Sequence, residues 1–270
     1  MRSDERSSTN AIETSVWKRT ARGFTLVELL VSIAIVATLL AILLPALGYT
    51  VGSARKFRCQ ISLRSVAFDF GVFADDQLHG DRGHDTRDLG RSRFRVETFQ
   101  ESQYGLDEFW RWNGPTTQTL PDANKNDPMR CASVRGQITL HNNTPCSQGA
   151  ITPAANVSYA FNMRLHAAEV AGPTGQLGLS PVSLTSAILE HGRVPLAWDV
   201  DGARASAAGA GPVFGAPGLG GSGPYASGMF WHPSKRHNGT VNVAFLDGSV
   251  SASSDPRAEP GWDWSFQPVR

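Results

Sequence analysis

Residues 24–47 read FTLVELLVSIAIVATLLAILLPAL, and from Leu29 to Ala54 no side chain is charged at neutral pH. As a helix rising about 1.5 Å per residue, the run extends about 36 Å, enough to cross a hydrocarbon core of about 30 Å. Few folds accommodate such a segment. It must enter a membrane or be covered by other apolar helices, and the remainder has to fold without it. That remainder is polar enough to do so: the 270-residue chain has 18% charged and 41% hydrophobic residues and a mean hydropathy of −0.21. Disordered, collagen-like and disulfide-dense compositions are excluded. With 25 basic against 24 acidic residues, no global field attracts nucleic acid, which is excluded as a partner class.

The charges around the run set its orientation. Residues 1–23 hold Arg2, Arg6, Lys18, Arg19 and Arg22 against Asp4, Glu5 and Glu13. A short basic arm stays in the cytoplasm, so the body beyond the span is expected outside, although Arg55, Lys56 and Arg58 must then be translocated. Glu28 is the anomaly, because a carboxylate inside an apolar span needs compensation. A cut after Gly23 would supply it, since the new amine on Phe24 lies one helical turn from Glu28.

Arg22-Gly23-Phe24-Thr25-Leu26-Val27-Glu28-Leu29-Leu30 closely resembles the cleavage and methylation site of type IV prepilins and type II secretion pseudopilins. The resemblance implies that a prepilin peptidase cuts after Gly23 and methylates Phe24, and that Glu28 guides assembly. It also implies the partners: that peptidase, other pseudopilin subunits and further copies of the chain, and an inner-membrane assembly platform. Pro45 falls where pilin helices often carry a proline. The expected organisation is a leader at 1–23, a transmembrane and assembly helix at 24–47, its amphipathic continuation at 48–74, and an exported β-rich domain at 75–270. The expected fold is α+β and pilin-like, a long helix packed on a carboxy-terminal antiparallel sheet. The expected location is the inner membrane, single-pass with a periplasmic body, and then a periplasmic or surface fibre. An ordinary secretory signal competes through Ala46-Leu47-Gly48. Against it stand Glu28 and the uncharged run from Leu29 to Leu44, longer than a usual signal core. An uncleaved anchor is the third option.

Beyond the span, Cys59, Leu63, Val66, Phe70 and Phe73 recur at steps of 4, 3, 4 and 3, an apolar stripe at helical period. Pro45, Gly48 and Gly52 predict a bend before it. Residues 75–95 mix charges as a solvated loop does, and a short helix precedes Phe109, Trp110 and Trp112. Gln137–Leu140, Val157–Phe161 and Val194–Trp198 read as strands. Leu184–Glu190 reads as a helix with Ser183 as N-cap and Gly192 as its stop. Residues 203–224, of which 16 of 22 are Gly, Ala or Pro, read as an exposed loop. Thr240–Leu246, Asp247-Gly248 and Ser249–Ala252 predict a hairpin with a type I′ turn. Val241, Val243 and Phe245 are expected to face the long helix.

His237 precedes Asp247-Gly248 by nine intervening residues in RHNGTVNVAFLDGSV. This resembles the signature of a prepilin-like family abundant in planctomycetes, whose post-membrane helix RKFRCQISLRSVAFDFGVF also resembles, as does the strand Asn156–Asn162. A His/Asp hydrolase would need a nucleophile elbow that is absent, and turn chemistry explains Asp247 and Gly248. The chain is read as a structural subunit and not an enzyme. The rival is a membrane-anchored ligand- or glycan-binding module using Trp262 and Trp264. No H-E-x-x-H or paired C-x-x-C motif supports zinc. Calcium is the one cofactor in view. Asp122, Asn124, Asn126 and Asp127 open an oxygen-rich loop that lacks its Gly and final Glu. Resemblance to major pseudopilins makes Asp199, Asp201 and Asp247 the second candidate set. Three cysteines in an exported body allow one disulfide. Cys59 and Cys131 match family positions, Cys131 and Cys146 are closer in sequence, and reduced thiols complete the options.

Overall fold

Leu26–Ala74 form one helix, α1, unbroken through Pro45, Gly48 and Gly52. The bend expected there does not open the helix. The structure, a computed structural model, describes residues 23–75, 77–78, 93–104, 117–120, 130–136, 138–141, 151–152, 154–226 and 228–268, divided into two compact units, Met1–Gly48 and Tyr49–Arg270. The leader to residue 22, most of the polar stretch 75–95, Phe109, Trp110, Trp112, the 122–127 loop and Cys146 lie outside the described residues. In the first unit every described residue of α1 is exposed, which is the signature of a helix that the protein itself does not solvate.

In the second unit α1 buries one stripe, Cys59, Leu63, Val66, Phe70 and Phe73, each at 0% exposure. The stripe meets α2 (Val96–Tyr104) through edge-to-face rings, Phe70 to Phe99 at 5.2 Å, while Phe73 meets Phe94 at 5.5 Å. Such pairs add about 0.5–1.5 kcal/mol each beyond their buried area. Strands β1 (Thr117–Leu120), β2 (Ile138–His141) and β3 (Ile151–Thr152) form a small antiparallel sheet. The main sheet uses β4 (Tyr159–Asn162), β7 (Pro195–Asp199), β8 (Phe214–Gly215), β9 (Val241–Phe245) and β10 (Val250–Ser253) in the order β10-β9-β7-β4-β8. Asn162 accepts from Arg164 N and so starts the one-turn α3 (Met163–His166), which leads into the hairpin of β5 (Ala167–Ala171) and β6 (Leu177–Pro181). The architecture is α+β, as expected.

Several local expectations are corrected. The sheet is mixed, because β8 pairs parallel to β4 through Phe161 with Phe214 and Asn162 with Gly215. That strand lies inside residues 203–224, which are not an exposed loop: Val213, Phe214 and Ala216 are buried, and α4 (Gly202–Ala207) opens the segment under an Asp201 cap. Small residues here permit close packing rather than freedom. At Gly215 an added Cβ would stand 2.9 Å from the Phe230 carbonyl oxygen and from the Trp198 ring. The Leu184–Glu190 helix shrinks to a 3₁₀ turn, Ser186–Glu190, after Thr185 rather than Ser183, because Leu184 is held by backbone bonds to Phe94.

The carboxy-terminal hairpin is built differently as well. At Leu246-Asp247-Gly248 only Gly248 has positive φ, +81°. Phe245 O accepts from Gly248 N and Phe245 N donates to Ser249 O, the three-residue loop with a G1 bulge. The type I′ geometry occurs one turn earlier, where Asn238 (φ 53°) and Gly239 (φ 79°) link His237 to Thr240. The buried faces of β9 are also reversed. Asn242 reaches α1, accepting from Gln60 at 3.1 Å, while the Phe245 ring meets Trp262 at 4.9 Å. By alternation, Ala244 and its partner Ala197 lie on the helix side and let α1 approach closely. The bulky face takes Trp198, which packs on Trp231 and Trp264 at 5.5 and 5.1 Å.

Candidate functional site

Two places gather the residues singled out from the sequence. At the amino terminus Gly23 and Phe24 are exposed, and a Cβ built on Gly23 meets nothing within 4 Å. Immediately after them Thr25 and Glu28 form a reciprocal cap. Glu28 N donates to Thr25 Oγ1, while Thr25 N and its hydroxyl donate to Glu28 Oε2 at 2.9 and 2.7 Å. This is a capping box, legible in the T-x-x-E spacing that opens the apolar run. In the uncut chain the carboxylate is therefore held at the helix start by Thr25.

In the body the type I′ turn delivers His237 into the core, 3% exposed. Its neighbour is not Asp247. Nε2 stands 3.2 Å from Cys131 Sγ and 3.8 Å from Asp199 Oδ2. Cys131 is joined to Cys59 by a disulfide, which selects one of the pairings left open. Asp199 has 0% exposure. Its Oδ2 accepts from Asn242 N at 2.9 Å, and its Oδ1 has no partner. Burial pushes the Asp199 carboxyl up to about 7, opposed by Arg236, Asn242 and Lys56. Burial, reinforced by Arg236 and Lys56, pulls the His237 imidazole down to about 4. Between those values both groups are neutral, so the 3.8 Å contact is not an ion pair.

The sign of the pH dependence follows. An acid whose folded pKa is raised destabilises the fold progressively as pH climbs from the unfolded value, near 4, to about 7. His237 and His166, both lowered to about 4, act oppositely as pH rises from about 4 to their unfolded value near 6.5. Asp199→Asn isolates the first effect, because an amide oxygen can still accept from Asn242 N. The stability difference between variant and parent should widen in the variant's favour from about pH 4 to about pH 7, by up to about 1.4 kcal/mol per unit. Urea unfolding at both ends of that range measures it, and a constant difference contradicts the assignment.

The three aspartates considered for calcium do not converge. Asp199 is enclosed beside His237, Asp201 caps α4 through Arg204 N, and Asp247 Oδ1 accepts from Ser249 N at 2.9 Å in the hairpin. Asp247 and Gly248 serve the turn. The Trp pair does not present a glycan platform either: Trp264 is 3% exposed, with Nε1 donating to Pro256 O at 2.7 Å, and Trp262 packs on Phe245.

Comparison with known proteins bears on the first of the two places. Residues 18–44 match the family model described as the prokaryotic N-terminal methylation motif. No curated protein and no solved structure matches the chain. The matched residues contain Gly23, Phe24, Thr25 and Glu28 and the apolar run after them. The chain therefore carries a methylation motif of the prepilin kind directly ahead of a long apolar helix that leads into an α+β body.

Proposed function

We propose that the chain is a structural subunit, cut after Gly23, methylated on Phe24 and assembled through α1 into a type II secretion pseudopilus or a type IV pilus-like fibre. The observation that carries this is the methylation motif standing directly ahead of a helix that is exposed along its entire apolar run. Such a helix is stable in lipid before assembly and against like helices afterwards. The same helix keeps apolar side chains exposed further along, with Phe57 at 64%, Ile61 at 53% and Phe68 at 68%. These three oppose the stripe that the body buries, so the face offered to neighbouring subunits continues past the span. The partners of this reading are a prepilin peptidase, an inner-membrane assembly platform and other subunits. After cleavage, Glu28 exchanges its Thr25 contacts for the amine of Phe24, its own or a neighbour's, which sets the axial step.

Intact mass and amino-terminal sequencing of protein from its native membrane test the proposal. A mature chain beginning at N-methylated Phe24 is the expected result. A chain beginning at Tyr49 would make it a secreted protein, and an intact Met1 an uncleaved anchor; either outcome overturns the assembly reading.

A further inference from the structure

Cys59, Cys131 and His237 form the one group among the described residues in which three or more metal-ligating side chains converge, their Sγ, Sγ and Nε2 atoms all lying within 4.8 Å of one another. Asp199 stands behind the imidazole, with Oδ2 3.8 Å from the same Nε2 that is 3.2 Å from Cys131 Sγ. Around zinc, with bonds of about 2.3 Å to thiolate and about 2.0–2.1 Å to imidazole, neighbouring tetrahedral donors are about 3.3–3.8 Å apart. The 3.2 Å between Cys131 Sγ and His237 Nε2 is close to the spacing of adjacent ligands.

Two further features favour a cation here. Backbone amides point at both sulfurs: Ala132 N donates to Cys59 Sγ at 3.1 Å and Ser133 N to Cys131 Sγ at 3.4 Å. A thiolate is a far stronger acceptor than a bonded disulfide sulfur, so these amides stabilise the reduced, anionic form. Asp199, wholly buried, holds its carboxyl beside the same imidazole, where a bound cation would favour its ionised form. Arg236 and Lys56 lie close enough to act on His237, and they offset the net negative charge that two thiolates and a carboxylate leave around a divalent ion.

We propose that Cys59, Cys131 and His237 supply three ligands to a tetrahedral divalent cation of the zinc class, its fourth position open and Asp199 standing beside the imidazole. The site is available only when the Cys59–Cys131 bond is reduced. Disulfide and metal are then alternative ways of closing the same junction. The step balances with a dithiol as reductant. Its two thiols pass two electrons and two protons to the Sγ–Sγ bond and become a disulfide, and the freed cysteine thiols release both protons as the ion binds their thiolates. The three donors come from α1, the 130–136 segment and the turn before β9, and the carboxylate beside them from the end of β7, which is why no motif spacing announces them.

Cobalt(II) tests the site, since tetrahedral thiolate coordination gives intense visible d–d bands and sulfur-to-metal charge transfer. The full chain in detergent, carrying Cys146→Ser to remove the third thiol, is reduced with a dithiol, freed of the reductant under anaerobic conditions and titrated. Expected is one cobalt per chain, displaced by zinc, with no signal from the oxidised chain. His237→Ala and Asp199→Asn each weaken binding at least tenfold, while their oxidised forms keep the parent near-ultraviolet dichroism. If reduction unfolds the body, zinc restores that dichroism. A reduced chain that gives no tetrahedral bands, whether folded or unfolded, overturns the proposal. So do bands of unchanged affinity in both variants, which would mean that the thiolates alone bind the ion.

Discussion

Gly23→Val should leave the precursor at full length, whereas Glu28→Ala should be cut and membrane-inserted but absent from any fibre. The two outcomes separate recognition from assembly within six residues. At Gly23 a built Cβ meets nothing within 4 Å and the residue is exposed. A larger side chain there costs the fold nothing, and a block in processing can only arise where a peptidase must close around the backbone. Glu28 is different, because its carboxylate is engaged with Thr25 in the uncut chain. Alanine removes half of the capping box, and helix α1, 49 residues long, survives that loss. What the variant lacks is the anion that a freed amine on Phe24 needs in an apolar surrounding. Mass spectrometry of membranes and electron microscopy of sheared fibres read the two stages. Normal fibres from Glu28→Ala would exclude the assembly role, and a processed Gly23→Val chain would exclude cleavage at that bond.

The second large effect concerns the covalent tie in the body. Cys59→Ser, measured with a chelator present so that no ion substitutes, should lower the stability of the Tyr49–Arg270 unit by about 4 kcal/mol. That is the chain-entropy value for cysteines separated by 72 residues. For a domain of this size it corresponds to a fall in Tm of about 10 °C. The Trp198, Trp231 and Trp264 cluster provides a fluorescence reporter on the far side of the sheet from α1. Addition of a dithiol to the parent should reproduce the shift. An unchanged midpoint in both experiments would mean that packing of Leu63, Val66, Phe70 and Phe73 alone holds the helix.

What could be read in advance was whatever depends on local periodicity. Cys59, Leu63, Val66, Phe70 and Phe73 share a face because the helix period places them there, and all five are buried. β4, β7 and β9 are apolar runs bounded by turn residues, and they too were legible. The choice of face in β9 was not, because both sides of the strand are covered and alternation cannot say which cover is the helix. Nor was β8, two residues within a Gly/Ala/Pro-rich stretch, since its pairing with β4 is decided by Phe214 packing and not by strand propensity. The amino-terminal motif is contiguous, so the sequence alone carries it. The surroundings of His237 come from residues up to 178 positions away in sequence, as the pairing of Cys59 with Cys131 and the approach of His237 to Cys131, 106 residues on, together require. No spacing rule reaches that far. Asp199 reads as an oxygen donor from the sequence, but that His237 is its neighbour is not legible there, because burial beside a histidine is a property of the sheet and not of the string of residues around it.

The disulfide also decides how a pull would travel. In the proposed fibre, a subunit held by its amino-terminal helix and tugged at its body would feel tension along the backbone, and tension seeks the shortest covalent route. That route leaves the helix at Cys59, crosses the Sγ–Sγ bond and rejoins the chain at Cys131. Every residue between the two cysteines, including the Phe70 and Phe73 turns of α1 and all of α2, is bypassed and bears no strain. The unravelling of that segment could not lengthen the subunit, and extension would have to begin beyond Cys131, at the sheet.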